Sequence, residues 1–218
     1  MPKNKKSKQV YNKICSRLQD DAELLNSYKI DSMNNKNLLE DLTCDAMGWT
    51  WLWEDNIGWD ALGAIHKELK NQCFTGNALE GTGKISGKGK FMNVNAYNKI
   101  KSFMYDPADL VFPLWVYGTL EAVIEVKPLD ANDRTQTRPA NWILTLRNKS
   151  MKALNIHTVQ ELRKACTGDD RPQMSSPTIM MKDWIDDDYT VTLLSDELTE
   201  HAYTPSILKI LHEAKNIK

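Results

Sequence analysis

Apolar and polar positions alternate most regularly over residues 105–128, YDPADLVFPLWVYGTLEAVIEVKP. β-Branched and apolar residues fill both arms and Gly118 supplies a turn, so the stretch predicts two strands closed into a hairpin. With the hairpin centred on Gly118, alternation places Leu110, Phe112, Leu114 and Val116 on one face with Ala122, Ile124 and Val126. That face is wholly apolar. The other carries Asp109, Val111, Pro113 and Trp115 on one arm and Glu121, Val123, Glu125 and Lys127 on the other. Asp109 then falls opposite Lys127, with Glu125 one same-face step away. Pro113 argues for an edge strand or a bulge, because it offers no N–H.

Helical spacing dominates elsewhere. Val10, Ile14, Leu18 and Ala22 predict a helix over residues 8–26, and Leu38, Leu39, Leu42 and Ala46 a second over 37–47. Residues 60–70, DALGAIHKELK, read as a third helix, with Trp59, Leu62, His66 and Leu69 on one face. Residues 93–103 predict another, and Pro139 opens one with Trp142, Ile143, Leu146 and Leu154 inward. Thr158-Val159-Gln160-Glu161 is a capping-box signature, residues 189–194 alternate like a strand, and Thr204-Pro205 begins a closing helix. The expected class is α+β: a helical N-terminal half, then a central antiparallel hairpin or small sheet flanked by helices. A boundary near residue 80 separates a helical region with a basic arm (1–80) from an α+β core (81–218), with a single domain as the alternative.

Composition narrows the function classes. The chain has 218 residues, 28 basic and 29 acidic, with a net charge of −1. That balance excludes a uniformly basic coat but allows a local basic surface. The four cysteines have neither CxxC nor zinc-like spacing, which fits free thiols. No apolar run reaches membrane-span length. A soluble intracellular protein, cytoplasmic or part of a virus particle, is the expectation.

The hairpin brings in candidate chemistry. Two carboxylates and a lysine at its open end can hold a divalent metal beside a scissile phosphate. Asp109 followed by Glu125-Val126-Lys127 resembles the D…(D/E)xK core of the PD-(D/E)xK nuclease superfamily. The resemblance covers about twenty residues and leaves Asp106 or Asp109 as the first acid. It implies Asp109 and Glu125 as ligands of Mg2+ or Mn2+, and Lys127 as the group that orients or activates the attacking water. A histidine on a preceding helix, here His66, resembles a further metal ligand in viral cap-snatching endonucleases. Glu54 and Glu68 are other upstream acids.

Residues 81–90, GTGKISGKGK, read as a flexible loop in which glycine N–H groups cradle an anion and Lys84, Lys88 and Lys90 add charge. With Arg134, Arg138 and Arg147 they form the candidate nucleic-acid contacts. Trp49, Trp51 and Trp53 alternate and serve either core packing or base stacking. The acids at 183 and 186–188 form either a metal cluster or an exposed loop. Two functions follow: a metal-dependent nuclease on RNA or DNA, or a non-catalytic nucleic-acid-binding, coat-forming protein that assembles as a homo-oligomer.

Overall fold

The computed structural model describes residues 35–52, 59–74, 83–91, 108–135, 137–158, 160–161, 164 and 176–216. The basic arm, the expected helices over 8–26 and 93–103, Trp53, Glu54 and Asp106 lie outside the described residues. The chain divides into two compact units, Met1–Leu42 and Thr43–Lys218, and the functional features all belong to the second.

The second unit is built on strand pairing. Helix α1 (Asn35–Met47) precedes strands β1 (Thr50–Trp51), β2 (Ala61–Leu62), β3 (His66–Leu69), β4 (Gln72–Phe74) and β5 (Gly89–Lys90). Then come β6 (Ala108–Val116), β7 (Thr119–Val126), helix α2 (Asn141–Ala153), β8 (Thr178–Ile179), β9 (Tyr189–Leu193) and helix α3 (Pro205–Asn216). Among the described residues a seven-stranded mixed sheet runs β1-β2-β3-β6-β7-β9, with β4 also paired to β6; β5 and β8 make a second, two-stranded sheet.

The expected α+β arrangement with a helical N-terminal half is therefore corrected. The chain is strand-rich, the described N-terminal helix is short, and residues 60–70 form β2 and β3 instead of a helix. The physical reason lies in β3, which is covered on both faces: Lys67, Glu68 and Leu69 are all buried. A strand buried on both sides has no polar-out alternation, so its apolar positions imitate a helical stripe.

The hairpin forms as the alternation predicts. Leu110↔Val126, Phe112↔Ile124 and Leu114↔Ala122 pair antiparallel, and Tyr117 and Gly118, at φ 50° and 83°, make the two-residue turn. Its apolar face is the floor of the main core, where Trp142 and Leu146 of α2 and Ile207 and Leu211 of α3 pack with it. Two details depart from expectation. A bulge between Leu114 and Trp115 shifts the register. Beside it, Glu121 turns to accept hydrogen bonds from Tyr203 Oη at 2.6 Å and Thr199 N at 2.9 Å. Pro113 sits in a central strand, and the parallel ladder to β3 and β4 is interrupted opposite it, between Leu69↔Val111 and Gln72↔Leu114. A residue without an N–H is thus matched to the gap between two strands.

The opposite face of the sheet is also buried. Cys44, Ala61, Leu69, Val111 and Val123 form a smaller core roofed by Met47, Trp49 and Trp51. These indoles pack, as one of the two sequence readings has it.

Helix α2 begins at Asn141 rather than Pro139, and it is capped from a distance. Asp187 Oδ1 accepts from Asn141 N at 2.7 Å and Oδ2 from Trp142 N at 3.0 Å. Burial holds the Asp187 carboxyl above the usual range despite those bonds. Asp187→Ala is expected to lower unfolding free energy by ~1–2 kcal/mol, the usual worth of an N-terminal cap, read as a shift in urea midpoint with an unchanged m-value. Asp183 of the same acidic run pairs with Lys149 at 2.7 Å. The run is therefore mainly structural: two of its four acids fasten α2.

Candidate functional site

Strand β3 carries ionisable side chains on both faces of the sheet. Alternation sends Lys67 and Leu69 toward the smaller core, and His66 and Glu68 toward the main one.

On the smaller-core face, the pairing Lys67↔Asp109 between parallel strands sets the geometry. Lys67 Nζ donates to Asp109 Oδ2 at 2.5 Å and to Glu125 Oε2 at 2.7 Å. Lys127 Nζ lies 3.4 Å from the same Asp109 oxygen. The Lys67 ammonium also stands 4.8 Å over the Trp49 ring. Asp109 is fully buried, and its Oδ1 has no hydrogen-bond partner. Desolvation pulls the Lys67 amine down, but hydrogen bonds and charge from Asp109 and Glu125 outweigh it and hold the amine above its ordinary value. The structure thus brings together Asp109, Glu125 and Lys127, the three hairpin residues singled out in the sequence. It adds a fourth, Lys67, whose ammonium occupies the position between the two carboxylates.

His66 is not brought to them. It pairs beside Ala108, projects to the other face and stacks on Trp59 at 6.4 Å between ring centroids. Arg134 and Arg138 are exposed in the turn after β7, where Arg138 reaches Asp130 at 3.5 Å. Arg147 lies half-buried on α2.

On the main-core side, a second acid and acid-x-lysine set occurs, Asp60 and Glu68-Leu69-Lys70. Ala61 pairs antiparallel with Lys67, and Asp60, the residue before β2, stays against β3. Asp60 N donates to Lys67 O at 2.9 Å, and Asp60 Oδ2 accepts from Leu69 N at 2.7 Å. The carboxyl is thereby fixed beside the strand that bears Glu68. Lys70 Nζ donates to Glu68 Oε1 at 2.7 Å, with the two side chains 12% and 3% exposed. The ammonium also lies 4.9 Å from the Phe91 ring centroid. A Cβ on Gly89 would come within 2.8 Å of Lys70 Cγ, so β5 lies directly against the lysine stem. Next along the chain, both polar atoms of the Asn71 side chain are buried without a partner.

Sequence reasoning noticed Glu68 only as an isolated acid and missed this set, although the order D…ExK is present in residues 60–70. The helical reading of that stretch hid it, since a helix separates Asp60 and Glu68 by about 12 Å along its axis.

Both sets offer hard carboxylate oxygens, the donors that Mg2+ and Mn2+ take. Lys67 bridges Asp109 and Glu125, whereas Lys70 pairs with Glu68 and Asp60 Oδ2 accepts from Leu69 N. Among the described residues no three His, Cys, Asp or Glu side chains converge, and Mg2+ is commonly held by only one or two carboxylates with water and substrate phosphate. Among the described residues no helix is long and apolar enough to cross a membrane. No known family model matches the chain, and no curated protein is similar to it.

Proposed function

We propose that the chain is a metal-dependent nuclease acting on nucleic-acid phosphodiesters, with Asp60, Glu68 and Lys70 as its centre. One observation carries the reading. The Asp60 carboxylate is fixed to β3 at Leu69 N, next to Glu68, and a lysine two residues on is held against Glu68. Asp60 and Glu68 would hold Mg2+ or Mn2+, which when bound supplies an acidified water and charge neutralisation at the phosphate. Lys70 contributes a fixed donor: salt-bridged to Glu68, packed on Phe91 and backed by Gly89, it can hold the attacking water or the charge that develops on phosphoryl oxygens. Fixing it beforehand matters because a preorganised charge needs no rearrangement during reaction.

A second reading keeps the metal at Asp109 and Glu125 with Lys127 beside the water. It is favoured by the buried, unpartnered Oδ1 of Asp109, and it requires the Lys67 ammonium to leave its place between the acids.

The test is incubation of purified protein with supercoiled plasmid, single-stranded DNA and RNA in Mg2+ or Mn2+. Cleavage with metal that stops on adding EDTA is expected. No cleavage of any substrate in either metal would remove the nuclease reading. Salt-sensitive binding together with large assemblies would then support the coat-forming alternative.

A further inference from the structure

We infer that residues 83–91 form a rigid rail for a nucleic-acid backbone, laid against the Glu68–Lys70 pair; this deepens the proposed nuclease reading and rests on it for the identity of the polyanion. The segment was expected to be a flexible loop whose glycines cradle an anion. It is instead two-sided, with left-handed backbone at Gly87 (φ 63°) and an extended pair at Gly89–Lys90. Ile85, Gly87, Gly89 and Phe91 are buried, while Lys84, Lys88 and Lys90 are exposed. Gly87 and Gly89 face inward where side chains would collide: a Cβ on Gly87 would lie 2.7 Å from Trp184 Cζ2, and one on Gly89 would meet Lys70.

The backbone is fastened along its whole length. Ile85 N donates to Ala202 O at 2.8 Å and Thr204 N to Ile85 O at 2.9 Å. Trp184 Nε1 donates to Gly87 O at 2.8 Å, and Gln72 Nε2 to Lys88 O at 2.7 Å. Gly89 and Lys90 pair with Ile179 and Thr178, and Phe91 N donates to Pro177 O at 2.9 Å. Among the described residues no ion pair joins Lys84, Lys88 or Lys90 to a carboxylate. A backbone fixed by internal hydrogen bonds, with uncompensated ammonium groups on its outer side, is an arrangement for meeting an anion, since its order is satisfied internally and its charge is not.

The dimensions suit a nucleic-acid strand. An extended chain rises about 3.3 Å per residue, and one strand of a duplex carries a charge about every 3.4 Å of axis. Lys88 and Lys90, two residues apart beside the extended Gly89–Lys90 pair, are therefore spaced at about two phosphate steps. Gly89, on the inner side of the rail, touches the Lys70 stem, so the rail passes over the Glu68–Lys70 pair.

The test is fluorescence anisotropy of labelled duplex DNA, single-stranded DNA and single-stranded RNA in EDTA, titrated between low and moderate salt. Wild-type protein and the triple variant Lys84→Gln, Lys88→Gln, Lys90→Gln are compared, with urea denaturation to establish equal folding. If all three lysines meet phosphates, the slope of log K against log salt flattens by about 3 on duplex and about 2 on single strands, at roughly 0.9 and 0.7 per contact. The arm with the larger loss identifies the preferred nucleic acid. An unchanged slope in a folded variant, or no salt-dependent binding by the wild type, overturns the rail. Unchanged slope with intact metal-dependent cleavage removes the rail alone; a flattened slope without cleavage by the wild type keeps the rail and removes the nuclease.

Discussion

Glu68→Gln is expected to lower metal-dependent cleavage by roughly 10²–10⁴-fold, the usual contribution of a positioned proton-transfer or charge-stabilising group, while affinity for nucleic acid in EDTA stays unchanged. Glutamine keeps the shape of the side chain and one acceptor for Lys70, and a urea midpoint checks that the fold is kept; what goes is the negative charge that would attract the metal. Loss confined to turnover, with binding preserved, identifies an interaction used in the transition state rather than in the ground state. Lys70→Met should fall by a similar factor, because the ammonium 2.7 Å from Glu68 is the only part removed. Lys127→Met is the discriminating companion. Its ammonium lies 3.4 Å from Asp109 and is about one-third exposed, so on the proposed reading cleavage changes by less than about threefold, the effect of a rim charge. The reverse pattern, with Lys127→Met inactive and Lys70→Met near wild type, moves the centre to Asp109 and Glu125.

The hairpin was legible because it satisfies a period-two rule on one face without exception. Leu110, Phe112, Leu114, Val116, Ala122, Ile124 and Val126 all lie in the main core, and Asp109, Glu125 and Lys127 meet as the alternation requires. The partners on either side of the hairpin were not legible. β3 joins β6 in parallel from some forty residues earlier, and such a pairing leaves no local mark in the chain. Lys67 shows the consequence: in the sequence it is an ordinary surface lysine, and only the parallel register makes it the cation between two acids. The same blind spot concealed Asp60, whose relation to Glu68 depends on a short hairpin closed by Gly63, where a Cβ would come within 2.9 Å of Trp49. Residues 83–91 were misread for a different reason. Glycine was taken to signal freedom of the backbone, but Gly89 signals a lack of space beneath the chain, and Gly87 combines that with a fixed left-handed φ of 63°.

Lys67→Met is expected to cost about 3–5 kcal/mol of stability, the range for breaking a buried ion pair by removing one partner. Lys67 and Asp109 are 4% and 0% exposed, and Glu125 is largely covered. Without the ammonium, two carboxylates share a buried site with Lys127 as the one remaining cation paired to it among the described residues. The penalty therefore comes mostly from what is left behind, and a control follows from that. The triple variant Lys67→Met, Asp109→Asn, Glu125→Gln removes all three charges and should recover a large part of the loss, since an uncharged cluster has no ion to desolvate. A triple variant no more stable than Lys67→Met would mean that Lys67 acts through packing on Trp49 rather than through charge. The pH dependence has a definite sign. Burial lowers the Lys67 pKa, the two acids raise it more, and the net position lies above the ordinary 10.5. Its contribution is thus complete below about pH 10 and declines as pH climbs through the folded-state value. Wild-type urea midpoints should show an alkaline decline that Lys67→Met lacks. The strand pinned in this way is the one that bears Glu68 and Lys70 on its other face.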